Sequence, residues 1–136
     1  MPDTLRLRVI TPEKSLLEKE VSEVQVPGLG GYLGMLPGHA ALFSELMIGE
    51  LTYEAPDGGG SLVVAKGFVE ILDDEVRILA DVAEEPGEID VDRARSAEAR
   101  AQERISGSGE DIDFERAQAA FKRAVVRIQV AEKAGR

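Results

Sequence analysis

Residues 66–94 read KGFVEILDDEVRILADVAEEPGEIDVDRA, and the character of the chain changes inside this stretch. Phe68–Leu72 and Glu75–Ala80 are short runs rich in Val, Ile and Leu, with the turn signal Asp73–Asp74 between them. Such a pair predicts two β-strands. At Glu84–Glu88 the composition shifts, and Pro86–Gly87 reads as a hinge. Beyond it glycine is absent until Gly107, and the sequence is dominated by Ala, Arg, Glu and Gln, all good helix formers.

Toward the N-terminus the strand pattern continues. Leu5, Leu7 and Val9 alternate with Arg6, Arg8 and Ile10, Val24 and Val26 flank Gln25, and Ser61–Ala65 forms a further run. Turn signals stand between the runs at Pro12, Pro27–Gly31, Pro37–Gly38, Pro56–Gly60 and Lys66–Gly67. Short β-runs spaced by roughly 8–12 residues predict an antiparallel β-sandwich. With aromatic residues at only 4%, its core must be mostly aliphatic. Toward the C-terminus, residues 90–105 and 113–134 predict two helices broken at Ser106–Glu110 (SGSGE), which is an antiparallel helical hairpin. The expected organisation is a β-sandwich over residues 1–86 and a hairpin over 87–136.

Composition narrows the function. The 136 residues contain no cysteine, which removes disulfides, thiolate catalysis and Cys-based metal sites. Charges at Asp3, Arg6, Arg8, Glu13 and Lys14 interrupt the N-terminus, so it is not a signal peptide. No apolar stretch approaches the roughly 18 residues that span a bilayer, so direct membrane insertion is not expected and any membrane link would run through a partner. The net charge of −10 resides entirely before residue 88, and residues 88–136 are balanced. The acidic front repels nucleic acid and anionic lipid, whereas a dense, balanced tail suits a solvated helix or a reversible docking surface.

The tail carries an internal repeat. Ile89–Ala94 (IDVDRA) and Ile112–Ala117 (IDFERA) share I-D-x-[D/E]-R-A. Its plain explanation is a helix start: Asp caps the first turn, the following acid complements the dipole, and the Ile staples onto the Ala. Residues seven and eleven apart on a helix lie within about 20° of each other. Arg93, Arg100 and Arg104 therefore form one stripe, Arg116, Arg123 and Arg127 another, and Ala94, Ala97 and Ala101 a small-residue stripe. On the second helix Phe114, Phe121 and Val125 share a stripe, with Ala117 and Ile128 beside it. Aligned arginines usually mean a solvated face; three on each helix can also converge on a polyanion.

No catalytic set stands out. The single histidine, His39, lies in the turn-like LPGHA and reads first as a turn residue. There is no phosphate loop, no G-x-S-x-G, and the glycines at 28, 30, 31 and 34 sit among strand residues, where they mark turns and bulges. No catalytic or metal-ligating residue is therefore assigned, and no cofactor is required.

Four segments, in order, resemble the epsilon subunits of bacterial rotary ATP synthases. They are Val9–Gly28 (VITPEKSLLEKEVSEVQVPG), Gly31–Leu42 (GYLGMLPGHAAL), Lys66–Glu84, and the tail with IDVDRARSAEARAQERI and DIDFERAQAAFKRAVVRIQVAEK. LPGH between strands, joined to the IDxxRA hairpin, is the specific part, and the match covers nearly the whole chain. The resemblance implies a non-catalytic rotor subunit, peripheral on the cytoplasmic face of the membrane. Its sandwich would pack on the gamma stalk and the c-ring, with Gly31, Tyr32, Leu36, Pro37, Gly38 and His39 at the partner interface. Tyr32 departs from the family pattern, where an acid is common, and Pro86–Gly87 replaces a more usual charged link. The resemblance also implies a regulatory tail: folded it permits turnover, and extended along gamma into the alpha/beta catalytic head it blocks ATP hydrolysis. In some members ATP binds the folded hairpin. The matching positions are Glu84, Ile89, Asp90, Arg93, Ala94, Arg100, Arg116 and Arg123, with Asp90 and first-turn amides toward the nucleoside and the arginines toward the phosphates. Two other readings stand beside it: a free-standing β-sandwich nucleotide-binding module, which would bind tightly without a partner, and a carboxylate hydrolase, which would turn over alone.

Overall fold

Leu72 and Glu75 pair across Asp73 and Asp74, whose φ angles are 49° and 62°. Two positive φ angles in a two-residue loop define the hairpin turn whose twist matches its strands, and Asp tolerates that region better than most residues. This turn joins β7 (Gly60–Leu72) to β8 (Glu75–Glu84), the two longest strands in a computed structural model that describes residues 4–107 and 113–135. Before them come β1 (Leu5–Ile10), β2 (Ser15–Val21), β3 (Glu23–Gly28), β4 (Gly31–Met35), β5 (Leu42–Leu46) and β6 (Gly49–Glu54). The chain divides into two units, Met1–Glu84 and Glu85–Arg136.

In the first unit the strand order is β2-β1-β8-β7-β5-β3-β4, with β6 bridging β3 and β7. Residues 60–64 of β7 pair with β6, and residues 67–71 pair with β5, so one strand serves both layers of the sandwich. The core between the layers is aliphatic: Leu5, Leu7, Val9, Val24, Val26, Met35, Leu51, Val69, Ile71, Val76 and Ile78 are all buried in it. Every pairing is antiparallel except β1 with β8, which run parallel. A tight turn dictates antiparallel neighbours, but β1 and β8 are joined through the whole sandwich, and no turn constrains them.

Lys66–Gly67 is not the turn between strands that the sequence suggests; it is a kink within β7. Lys66 has φ 58° and Gly67 φ 139°. Before the kink the even residues Leu62 and Val64 face the core; after it the odd residues Val69 and Ile71 do. Changing the phase of a period-2 pattern by one residue moves every following side chain to the other face. Phe68 is therefore turned outward. Glycine is required at 67, because a Cβ there would lie 1.9 Å from the carbonyl oxygen of Leu79.

In the second unit Pro86–Glu88 forms a short 3₁₀ turn at the predicted hinge, followed by α1 (Val91–Ser106) and α2 (Phe114–Lys133). The second repeat's Ile112 and most of the Ser106–Glu110 break lie outside the described residues. The Phe114, Phe121 and Val125 stripe is not the buried face of α2. Phe114 is exposed and Phe121 and Val125 are only half-buried, while Ala117, Ala124, Val126, Val130 and Ala131 are buried. The helices approach through alanine, and bulky phenyl rings on that stripe would hold the backbones apart.

Gly67→Ala should destabilise the full chain by about 3 kcal/mol or more, since the added methyl meets backbone rather than a movable side chain. Urea unfolding measures this, and a loss under about 1 kcal/mol would mean that β7 relaxes around the kink.

Candidate functional site

The interface residues expected from the sequence lie along β4, an edge strand. Gly31 and Tyr32 open it, and Leu36, Pro37, Gly38 and His39 follow its end. They form two groups rather than one cluster, separated by residues 33–35 of the strand, about 13 Å from Tyr32 to Leu36. In the first group the Tyr32 hydroxyl accepts the Glu50 N–H at 3.2 Å. Gly49 leaves room for this: a Cβ there would fall 2.8 Å from Pro27 and 2.9 Å from the Tyr32 hydroxyl. Tyr32 is thus held by its tip with its ring exposed, near the exposed Leu29 at the β3–β4 tip. In the second group the His39 N–H donates to Leu36 O at 3.1 Å, and Gly38 has φ 86°. Pro at the second position and a left-handed Gly at the third make this a type II turn. His39 Nδ1 lies 2.7 Å from its neighbour's carbonyl, Ala40 O, the turn role expected for it. The Gly38 N–H, which the turn leaves pointing outward, donates to Asp74 Oδ1 at 2.7 Å.

A second surface went unseen in the sequence. Register places Ile10, Leu79 and Phe68 in one row across β1, β8 and β7, and Arg8, Arg77, Glu70 and Phe43 in the next. Phe43 and Phe68 stack at 5.2 Å between ring centroids, although about half of each remains exposed. These residues line a groove of about 260 Å³ whose apolar floor is rimmed by Arg8, Arg77 and Glu70. Beside it Glu75 accepts from Arg77 at 2.9 Å and from Arg8 at 3.2 Å. The hydrogen bond from Arg77, then that from Arg8, hold the Glu75 carboxyl below the usual carboxylate range. The outward phase of Phe68 is what assembles this face, and only the kink at 66–67 sets that phase.

In the hairpin both repeats act as helix caps. Asp90 Oδ1 accepts the Arg93 N–H at 3.0 Å, and Asp113 Oδ1 accepts the Arg116 N–H at 3.1 Å. Ile89 and Ala94 are both buried. The arginines show a simpler rule than two stripes: Arg93, Arg100, Arg116 and Arg123 each immediately precede a buried alanine, at 94, 101, 117 and 124. One residue turns a helix by about 100°, so each arginine flanks the alanine seam on the same side. The two-fold relation of antiparallel helices keeps that side on one face of the hairpin. Along the axis they separate. Arg95 Nη2 lies 3.3 Å from Glu132 Oε1, which sets the start of α1 beside the end of α2. Arg100 therefore stands level with the stretch of α2 that holds Arg123 and Arg127, while Arg93 stands level with the end of α2, and Arg116 is roughly 27 Å from Arg93 along the axis. Arg127, half-buried in the same stripe, was not among the expected site residues. Glu84 ends β8 in the other unit. An open depression of about 400 Å³ is lined by Gly87–Asp92, including Ile89 and Asp90. Among the described residues no three acids or histidines gather as a metal site, and no helix is long and apolar enough to cross a membrane.

The two parts of the chain match two domains of one family. Residues 4–86 match the ATP synthase delta/epsilon chain β-sandwich domain, and residues 88–132 match its long α-helix domain. The chain belongs to the ATP synthase delta/epsilon chain family. Relatives named ATP synthase epsilon chain align end to end. That of Solibacter usitatus is 48% identical over 98% of this chain and 99% of its own length. That of Syntrophobacter fumaroxidans is 44% identical over the same shares. A chain in the Euglena gracilis mitochondrial ATP synthase (OSCP/F1/c-ring) shares the fold, with a TM-score of 0.81 at 21% identity, over 98% of this chain and 82% of that one. A chain of the Tetrahymena thermophila central stalk/c-ring structure superposes at 0.57 with 19% identity, over 97% and 96%. The delta/epsilon sandwich thus presents two exposed surfaces, the β4 edge and the Phe43–Phe68 face, and the helical domain presents one arginine face.

Because Glu75 titrates below its unfolded value of 4.5, its ion pairs stabilise the fold above that pH, and the contribution is lost as pH falls through the folded value. Glu75→Gln should therefore lower the urea midpoint at pH 7 and match the wild type once the pH is below the folded value of Glu75. An offset that stays the same size throughout an acid titration would show that the carboxylate charge is not involved.

Proposed function

We propose that this delta/epsilon chain is a non-catalytic subunit of the central stalk of a rotary ATP synthase, peripheral to the membrane on its cytoplasmic face. It couples the c-ring to the catalytic head. The observation that carries the reading is the exposed aromatic face on a sandwich that already has a complete aliphatic core. Phe43, Phe68, Leu79 and Ile10 spend apolar area on solvent, and such a patch with a charged rim fits a protein partner. The gamma stalk is assigned to this face. The loops of the c-ring are assigned to the β4 edge, at Gly31–Tyr32 and Leu36–His39. The sequence contains no phosphate loop, and in this reading the chain does not turn over ATP itself.

The hairpin regulates the complex in this reading. Its seam is mostly alanine, and an alanine methyl buries less than about 1 kcal/mol of apolar area. A seam that weak can open, and an extended tail can reach between the alpha and beta subunits of the head. ATP is the regulatory ligand, binding the folded form. Arg100 and Arg123, with Arg127 beside them and Arg93 two turns before Arg100, offer its phosphates one cationic face, and Asp90 with the first-turn amides takes the nucleoside edge. A ligand shifts an equilibrium only through differential affinity, and extension pulls the two arginine stripes apart.

Deleting residues 88–136 should leave ATP synthesis by the complex largely intact and raise ATP hydrolysis. Unchanged hydrolysis in membranes carrying the truncated chain would remove the inhibitory role from the tail. For the ligand, Arg100→Ala or Arg123→Ala should weaken ATP binding by about tenfold, whereas Arg116→Ala, far along the axis, should change it little. Calorimetry at millimolar ATP measures both; no heat with the wild type, or equal losses from all three, would reject the geometry.

A further inference from the structure

We propose that the Asp74 carboxylate is the positioning group for the Leu36–His39 turn, holding it in the conformation that docks on the rotor. Asp74 and Gly38 are 36 residues apart, yet Asp74 Oδ1 accepts the Gly38 N–H at 2.7 Å. An ionised acceptor makes this a short, strong hydrogen bond, and it meets the one turn amide that a type II turn leaves without an internal partner.

Asp74 is itself fixed. It sits at the second position of the β7–β8 turn with φ 62°, and its carbonyl oxygen accepts the Arg6 N–H at 2.9 Å. Its backbone is thus tied to β1 and β8, and its side chain ties the turn that leaves the β4 edge. On the other side the turn leads into β5, whose Leu42 pairs with Ile71 of β7. The turn is therefore flanked by strand pairing, Met35 with Val24 before it and Leu42 with Ile71 after it, and held at its tip by a single side chain. Leu36, which the turn presents, is 57% exposed. A small turn with an exposed apolar tip samples many orientations unless something holds it, and ordering before binding lowers the entropy cost of docking. The proposal rests on the docking assigned above to this turn.

Three variants of the full-length chain separate the side chain from the backbone. Asp74→Gly accepts the left-handed φ and removes the acceptor. Asp74→Asn also accepts that φ and keeps an acceptor oxygen. Leu36→Ala removes the tip. The first measurement needs no partner: Gly38 amide exchange by NMR. It should be about tenfold faster in Asp74→Gly and within about threefold of wild type in Asp74→Asn. The second measurement is binding to the rotor sub-complex purified without this subunit. Asp74→Gly should weaken binding about tenfold, Asp74→Asn should restore it, and Asp74→Gly should add nothing in the Leu36→Ala background. Unchanged Gly38 exchange in Asp74→Gly overturns the clip. Faster exchange with unchanged affinity, or an equal loss in the Leu36→Ala background, overturns its role in docking. A wild-type chain that fails to bind the sub-complex overturns the docking assignment instead, and the exchange rates still decide the clip.

Discussion

The carbonyl oxygen of Leu79 occupies the space where any side chain on residue 67 would begin. The sandwich depends on that close approach. It lets β7 turn its pleat over at Lys66–Gly67 while staying paired to β8 on both sides of the kink, so one hairpin closes both layers. Leu62 and Val64 reach the core before the kink, and Val69 and Ile71 after it. Without the phase change, either the first pair or the second would face solvent, and the aliphatic core would lose half of its longest strand. The same change delivers Phe68 to the outer surface beside Phe43 and Leu79. A packing constraint inside the sandwich thus creates the apolar face outside it.

The two units rest on different scales of interaction. A buried Leu, Ile or Val contributes about 1.5–3 kcal/mol, and the sandwich core holds many of them. The hairpin is joined by alanines, by Val126 and Val130, and by an exposed Arg95–Glu132 pair of the kind that contributes little. This contrast is what a rigid docking body with a releasable appendage requires.

Polar chemistry in the chain is spent on geometry. Asp90 and Asp113 cap helices, Glu75 gathers Arg8 and Arg77, Asp74 reaches Gly38, and the Tyr32 hydroxyl reaches the Glu50 amide. Each of these groups orients backbone or a neighbouring strand. What remains exposed are aromatic rings, two turn regions along an edge strand and a row of arginines, which are the materials of recognition.

The sequence by itself determined the two-part organisation, the strand runs around Asp73–Asp74, the helix starts at Asp90 and Asp113, and family membership through LPGH and IDxxRA. These are local signals: turn chemistry, caps and periodicity act over a few residues and can be read in order along the chain. The tertiary structure decided the rest. The kink at Gly67 was misread as a turn because local sequence cannot distinguish a break between strands from a phase change within one. The parallel β1–β8 pairing and the Phe43–Phe68 face join residues from distant strands through register. The alanines of α2, and not its phenylalanine stripe, form the seam because close backbone approach favours the smaller side chain. The arginine set divided along the hairpin axis, with Arg127 near Arg100 and Arg116 remote, because an antiparallel pairing fixes which turns of two helices stand level, and +7 spacing within each helix does not.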